Sequence, residues 1–210
     1  MQDFGLYIII TKPELSYEEI AKICVRQNIR MIQLREKHLT DREIIEAGKR
    51  IKSITAGTNT LLVINDRVDL ALAAGADVLH LGQDDLPIEE ARKIAGDRLK
   101  IGLSTHSIEQ VREALTHKPD YIGFGPVYPT NAKARPDAPV GVGMLKEVLS
   151  FADVPVVAIG GIFPENLDDV VAAGAKNVAL VRHFMQTTET EQRIVEIKKS
   201  LTGAKQLSLF

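Results

Sequence analysis

Tryptophan is absent from these 210 residues, and cysteine occurs once, as Cys24. A lone cysteine excludes an internal disulfide framework, and with it the disulfide-stapled folds of small secreted proteins. Cys24 lies in the apolar-periodic stretch IAKICV, so it is expected to be a buried, inert thiol in a reducing, cytoplasmic setting. Excess charge of one sign is lacking too: 26 basic against 28 acidic residues leave a formal net charge of -2. That balance gives no basic footprint and excludes nucleic acid as a bulk partner. No apolar run approaches the ~20 residues of a membrane-spanning helix, which excludes the membrane as a partner. The opening MQDFGLYIIITKPE lacks the basic start of a signal peptide. Nucleophile elbow, Walker loop and dinucleotide fingerprint are all missing. The five histidines show no metal-ligand spacing.

What the chain does have is an unbroken alternation of short apolar strands and amphipathic helices. Hydrophobic residues make up 45% and charged residues 26%, an ordinary globular balance. Strands are predicted at 6–11, 29–36, 60–66, 77–82, 99–104, 121–127, 154–161 and 177–181. Helices follow each of them. Ser16 with Glu19 reads as a capping box, Gly75 as the residue closing the third helix, Pro87 as a first-turn residue and Ser107 as a cap. The last helix is expected from about Glu189 to Leu201. Eight β–α units without a composition break predict one domain over 1–210, a (β/α)8 TIM barrel with a short tail from about residue 202. An open doubly wound sheet is the alternative.

In a barrel, function belongs at the C-terminal ends of the strands. Those ends read QLREK, INDR, HLGQDD, GLSTHS, GFGPVYPTNAK and AIGGI, with polar and glycine residues recurring at one end of strand after strand. On the second strand Gln33, Arg35 and Lys37 share one face, while Ile32, Leu34 and Glu36 share the other. Charge beside a buried strand needs a partner, which is either the rest of the protein or an anionic ligand. Arg35, Lys37 and Lys133 are the cations suited to a polyphosphate. Neighbouring strands lie ~4.8 Å apart, so Asp66 can share a ligand with Asp84 or Asp85, and such carboxylates suit Mg²⁺. The competing reading is that one of these two aspartates caps the helix at Pro87. Ser104 and Thr105 offer hydroxyl donors. Gly160 and Gly161 form either a phosphate cradle or a tight turn. His80 is expected to be a satisfied barrel histidine, His117 a surface residue at a helix end, and His106 the one histidine placed for proton transfer.

Taken in order, QLREK, INDR, HLGQDD, GLSTHS, GPVYPT followed by Lys133, and VAIGGI closely resemble the thiamine-phosphate synthase family along the chain to about residue 200. The resemblance implies a (β/α)8 barrel that joins hydroxymethylpyrimidine diphosphate to thiazole phosphate (hydroxyethylthiazole phosphate or its carboxylated form). Thiamine phosphate and pyrophosphate are the products, and Mg²⁺ is required. It assigns the pyrimidine diphosphate to Gln33, Arg35, Lys37, Asn65, Ser104 and Lys133, with Leu34 and Glu36 in the same segment. Asp66 and Asp85 would hold Mg²⁺. Thr130, Asn131, Ala132, Gly161, Val181 and Arg182 would meet thiazole phosphate, and Arg35, Ser104 and Lys133 would act in catalysis. The implied chemistry is dissociative: the diphosphate leaves, and the thiazole nitrogen captures the pyrimidine methylene cation.

Two departures stand out. Ala132 replaces a hydroxyl residue in the long loop, and Arg182 with His183 follows Val181 where the family has a serine and small residues. A thiazole tautomerase of the same superfamily, in which a histidine moves the proton, is the alternative, and a non-catalytic binding barrel is another. The implied partners are the two small-molecule substrates, and homo-oligomer formation stays open. Gln206, Leu207, Ser208, Leu209 and Phe210 are similar to the pentapeptides by which bacterial replication proteins dock on a sliding clamp. The simpler reading is that the apolar residues among them cover a patch on the barrel or on a second subunit.

Overall fold

The computed structural model describes residues 2–130 and 137–207, with side chains to Leu201. The chain runs β1 (Leu6–Ile10), α1 (Tyr17–Arg26), β2 (Met31–Leu34), α2 (Asp41–Thr55), β3 (Leu61–Asn65) and α3 (Val68–Ala74). It continues through β4 (Val78–Leu81), α4 (Ile88–Ala95), β5 (Lys100–Thr105), α5 (Ile108–Thr116), β6 (Tyr121–Phe124) and α6 (Gly141–Phe151). Then come β7 (Val156–Ile159), α7 (Leu167–Ala172), β8 (Asn177–Leu180), α8 (Arg182–Met185) and α9 (Thr190–Leu207). All strand pairings are parallel, and β1 pairs with β8 through Leu6↔Val178, Tyr7↔Ala179 and Ile8↔Leu180. The sheet is therefore a closed eight-stranded barrel, not the open alternative. No helix of the described residues is long and apolar enough to cross a membrane.

Alternation along each strand sorts the core into two shells. Ile8, Ile10, Ile32, Leu34, Leu62, Ile64, Leu79 and Ile101 face outward and pack under the helices. Tyr7, Ile9, Met31, Val63, Val78, Tyr121, Val157 and Ala179 fill the lumen with Phe4. The helices start where their caps dictate. Thr40 and Glu43 form a reciprocal capping box, Ser107 accepts from the backbone N–H three residues on, and at Ser16 only the serine half of the expected box with Glu19 forms. Gly75 closes α3 in the left-handed conformation at φ 70°, as its sequence position predicts. Cys24 is buried on α1, and burial pushes its thiol pKa up, which leaves it unreactive.

Several local expectations change. Pro87 is the N-cap of α4, one place before the first turn, and neither Asp84 nor Asp85 caps that helix. The helix after β7 begins as a 3₁₀ turn at Pro164–Asn166. A four-residue helix, α8, follows β8, and α9 runs six residues past its expected end. The QLSLF segment lies outside the residues whose side chains are described.

Tyr121 owes its position to a neighbour with no side chain. A Cβ on Gly102 would sit 2.2 Å from Tyr121 Cε1, and the ring is boxed in edge-on by Phe4 and Tyr7 and stacked on His80. Gly102→Ala should therefore cost about 1–3 kcal/mol, as overpacked cores do. Gly143→Ala in α6, where a Cβ meets nothing within 4 Å, should gain about 0.5–1 kcal/mol. Urea denaturation of both variants beside the parent protein measures the contrast.

Candidate active site

The C-terminal rim of the barrel is built on a polar layer inside the lumen. Gln33 is 1% exposed, and its side-chain N–H donates to the Tyr7 hydroxyl at 2.8 Å. The Tyr7 and Tyr121 hydroxyls are 3.1 Å apart, Tyr121 lies 2.8 Å from His80 Nδ1, and His80 Nε2 lies 2.9 Å from Ser104 Oγ. Burial first, and the neighbouring hydroxyl second, push the Tyr121 pKa well up, so these phenols stay neutral. His80 is thus the satisfied barrel histidine that the sequence suggests. Tyr7 and Tyr121 escaped sequence reading. Alternation places them inward, but nothing local shows that their hydroxyls meet.

Above this layer, β3 and β4 present the acidic pair. Asp66 has φ 65°, a left-handed conformation that costs a non-glycine residue about 1–2 kcal/mol and that aspartate tolerates better than most. The turn lets two consecutive residues serve one rim: Asn65 follows the inward register opposite His80, and Asp66 bends back toward β4 and β2. Lys37 Nζ lies 2.8 Å from Asp66 Oδ2. Asp85 Oδ2 accepts from the Gly82 backbone N–H at 2.6 Å, which fixes the carboxylate on its own loop and away from the start of α4. Burial raises the Asp85 pKa, and so does the adjacent Asp66 carboxylate, with which it hydrogen-bonds. Asp84 is exposed. Arg67, the last residue of INDR, turns away from the rim to Asp41 at 3.1 Å and Asp69 at 2.6 Å.

The end of β2 divides as its alternation predicts. Arg35 is half-buried at the rim, Lys37 reaches Asp66, and Leu34 packs into the outer core. Glu36 faces the other way. Its Oε1 accepts from the Lys12 backbone N–H at 2.7 Å and from the Tyr17 hydroxyl at 3.0 Å, and His38 Nε2 sits 3.0 Å from Oε2. Its carboxylate anchors the loop after β1 and does not join the rim. On β5 the Thr105 hydroxyl is committed to Gly123 O at 2.9 Å, which leaves Ser104 as the rim hydroxyl.

The opposite side of the rim carries the glycines and Arg182. Gly160 and Gly161 have φ 93° and 67°, and a Cβ on them would meet Pro126 Cα at 2.5 Å and Tyr128 O at 2.6 Å. The pair is glycine because the loop after β6 packs directly on it, with Tyr128 N donating to Gly160 O. The Asn166 side chain closes the turn from both ends, accepting from Phe163 N and donating to Gly161 O. Beside it the Arg182 guanidinium lies 5.2 Å over the Phe163 ring. Val181 and Arg182 are half-buried, and burial lowers the pKa of His183. Thr130 ends the described part of the loop, and Asn131, Ala132 and Lys133 lie outside the described residues. His106 Nδ1 sits 2.5 Å from Gly125 O and its Nε2 3.6 Å from Asp137, so it ties β5 to the two ends of that loop. His117 caps α5 beside Glu89.

The barrel with this rim resembles known proteins throughout. A family model described as thiamine monophosphate synthase matches residues 6–184. The thiamine-phosphate synthase of Caldicellulosiruptor saccharolyticus is 41% identical over 179 residues, covering 85% of this chain and 81% of that protein. That of Lawsonia intracellularis is 39% identical over 203 residues, 95% and 93% of the two chains. The solved thiamine phosphate pyrophosphorylase of Pyrococcus furiosus superposes with a TM-score of 0.85 at 33% identity, covering 96% of this chain and 97% of the other. The chain belongs to the thiamine-phosphate synthase family, transferases of thiamine biosynthesis.

Proposed function

We propose that the rim runs the thiamine-phosphate synthase reaction with the diphosphate at the β2–β5 side and the thiazole phosphate at the β7–β8 side. One observation carries the reading: Asp66 and Asp85 stand side by side next to Lys37. Two carboxylates this close favour a cation between them, because each makes ionisation of the other harder. Among the described residues no three His, Cys, Asp or Glu side chains gather as a metal cage. A carboxylate pair alone suits Mg²⁺, which keeps several waters and takes phosphate oxygens as further ligands. When bound there, Mg²⁺ would neutralise charge on the departing diphosphate.

The chain's own groups do the rest. Arg35 and Lys37, together with Lys133, hold the diphosphate, with the guanidinium suited to a bidentate grip. Ser104 donates its hydroxyl proton to a diphosphate oxygen. Gln33 and Asn65 orient the pyrimidine from the lumen. As the C–O bond to diphosphate lengthens, negative charge grows on a site of fixed cations and donors, and the closed floor keeps water from the methylene cation. Thr130, Asn131, Ala132, Gly161, Val181 and Arg182 hold the thiazole phosphate so that its ring nitrogen faces that cation. No step requires an imidazole base, which agrees with His106 spending Nδ1 on the Gly125 carbonyl.

Incubating the protein with both phosphorylated halves and Mg²⁺ should yield thiamine phosphate and pyrophosphate; absence of product would refute the reading. Asp66→Ala and Asp85→Ala should each lower activity by more than about a hundredfold. Asp84→Ala, at an exposed position, should stay within about threefold. Mg²⁺ should also raise the thermal midpoint of the ligand-free parent but not of Asp66→Ala, a readout independent of turnover.

Arg182→Ser should raise KM for thiazole phosphate about tenfold and leave KM for the pyrimidine diphosphate unchanged, a loss confined to one side of the rim. His106→Ala removes only a loop anchor and should hold turnover within about tenfold. Steady-state kinetics in both substrates measure these effects. An inactive His106→Ala beside an active Asp66→Ala would point to tautomerase chemistry instead.

A further inference from the structure

Five side chains from five strands form one continuous line of hydrogen bonds across the lumen: Gln33, Tyr7, Tyr121, His80 and Ser104. Its two ends are the residues assigned above to the pyrimidine diphosphate, and its three middle members have no role in that assignment. The line has a direction, because its first donor is an amide NH₂, which can only donate. Tyr7 accepts from Gln33 at 2.8 Å, so its own proton is free for Tyr121, its other partner among the described residues. The proton of Tyr121 then goes to His80 Nδ1 at 2.8 Å, and that nitrogen has to be the bare one. That order puts the imidazole proton on Nε2, which then donates to Ser104 Oγ 2.9 Å away. With its oxygen accepting from below, Ser104 has its own proton left for the rim.

We propose that Tyr7, Tyr121 and His80 are positioning residues, forming a one-way hydrogen-bond relay from Gln33 that fixes the Nε2–H tautomer of His80 and holds the Ser104 proton toward the diphosphate. The second half of this statement rests on the assignment of Ser104 to the diphosphate; the first half does not. Reversing the relay turns the Ser104 proton into the barrel and faces the anion with lone pairs. A phenol network serves this purpose well, because both hydroxyls are fully buried and water cannot scramble the order of donors. Gly102 belongs to the same construction, since only a residue without a Cβ leaves room for the Tyr121 ring.

The tautomer is measurable without substrate. In the full-length protein labelled with ¹⁵N-histidine, above the imidazole titration, the ¹⁵N shifts of His80 should report a proton on Nε2. A proton on Nδ1 overturns the proposal. Gln33→Glu replaces the leading donor with an acceptor and should switch His80 to the Nδ1–H form; an unchanged tautomer overturns the relay. Tyr121→Phe cuts the line while keeping both ends. It should lower kcat/KM for the pyrimidine diphosphate about tenfold and leave KM for thiazole phosphate in place, whereas mere loosening of the core would move both. Tyr7→Phe should act in the same direction and stands in if Tyr121→Phe does not fold. Unchanged diphosphate kinetics in both phenylalanine variants overturn the proposal. Should Ser104→Ala leave diphosphate kinetics intact beside the expected tautomer, the assignment of Ser104 fails, and with it the purpose given to the relay.

Discussion

Pairing of β1 with β8 leaves the sheet no edge, so every inward side chain has to find its partners across the lumen. A buried polar group left unpaired costs roughly 1–3 kcal/mol. The inward positions of β2, β4 and β5 carry an amide, an imidazole and a hydroxyl, while β1 and β6 carry phenols. In an open sheet those groups would turn to solvent. Here closure forces them onto one another, while Met31, Val63, Val78 and Val157 fill the lumen beside them and Asn177 at the base of β8 is satisfied by the Phe4 and Gly5 N–H groups. The polar layer therefore lies between a dry floor and a wet rim. That position lets it fix donors for the rim without admitting water beneath them.

Much of this was legible in the sequence because strand alternation and helix caps are local. The face assignment of Gln33, Arg35 and Lys37 against Ile32, Leu34 and Glu36 follows from period two alone. Leu34 in the outer core and Glu36 on Lys12 and Tyr17 agree with it. The serines capping α1 and α5 and the glycine closing α3 are likewise matters of a few adjacent residues. The family resemblance read from the rim motifs agrees with the comparisons.

What escaped was set by residues far apart in the chain. The Tyr7–Tyr121 contact spans 114 positions, and neither tyrosine advertises a polar role from within an apolar strand. The glycine pair after β7 reads as either a phosphate cradle or a tight turn, and the loop after β6 lying on it supplies a packing reason for both glycines that no local pattern shows. Thr105 looks equivalent to Ser104 until its hydroxyl is found on Gly123 O. The helix at Arg182–Met185 also went unpredicted, because one turn of chain gives no periodicity to detect.

Binding strength and rearrangement are divided between lumen and rim. The Lys37 side chain is 57% exposed against 23% for Asp66, so water screens the pair from the lysine side and it contributes on the order of 1 kcal/mol. On the proposed assignment the pair opens at small cost when a cation and the diphosphate arrive together, with Lys37 moving from the carboxylate to a phosphate. Asp66 is held by its backbone instead, through the left-handed turn and its N–H on His80 O at 2.8 Å, so the carboxylate stays in place when its lysine leaves. Ser104 is held from beneath by His80 and has no comparable freedom. On the proposed assignment, such a site would exchange its weak contacts for ligand contacts while its donors and the Asp66–Asp85 pair stay fixed. Such preorganisation favours a reaction in which charge separates before the new bond forms.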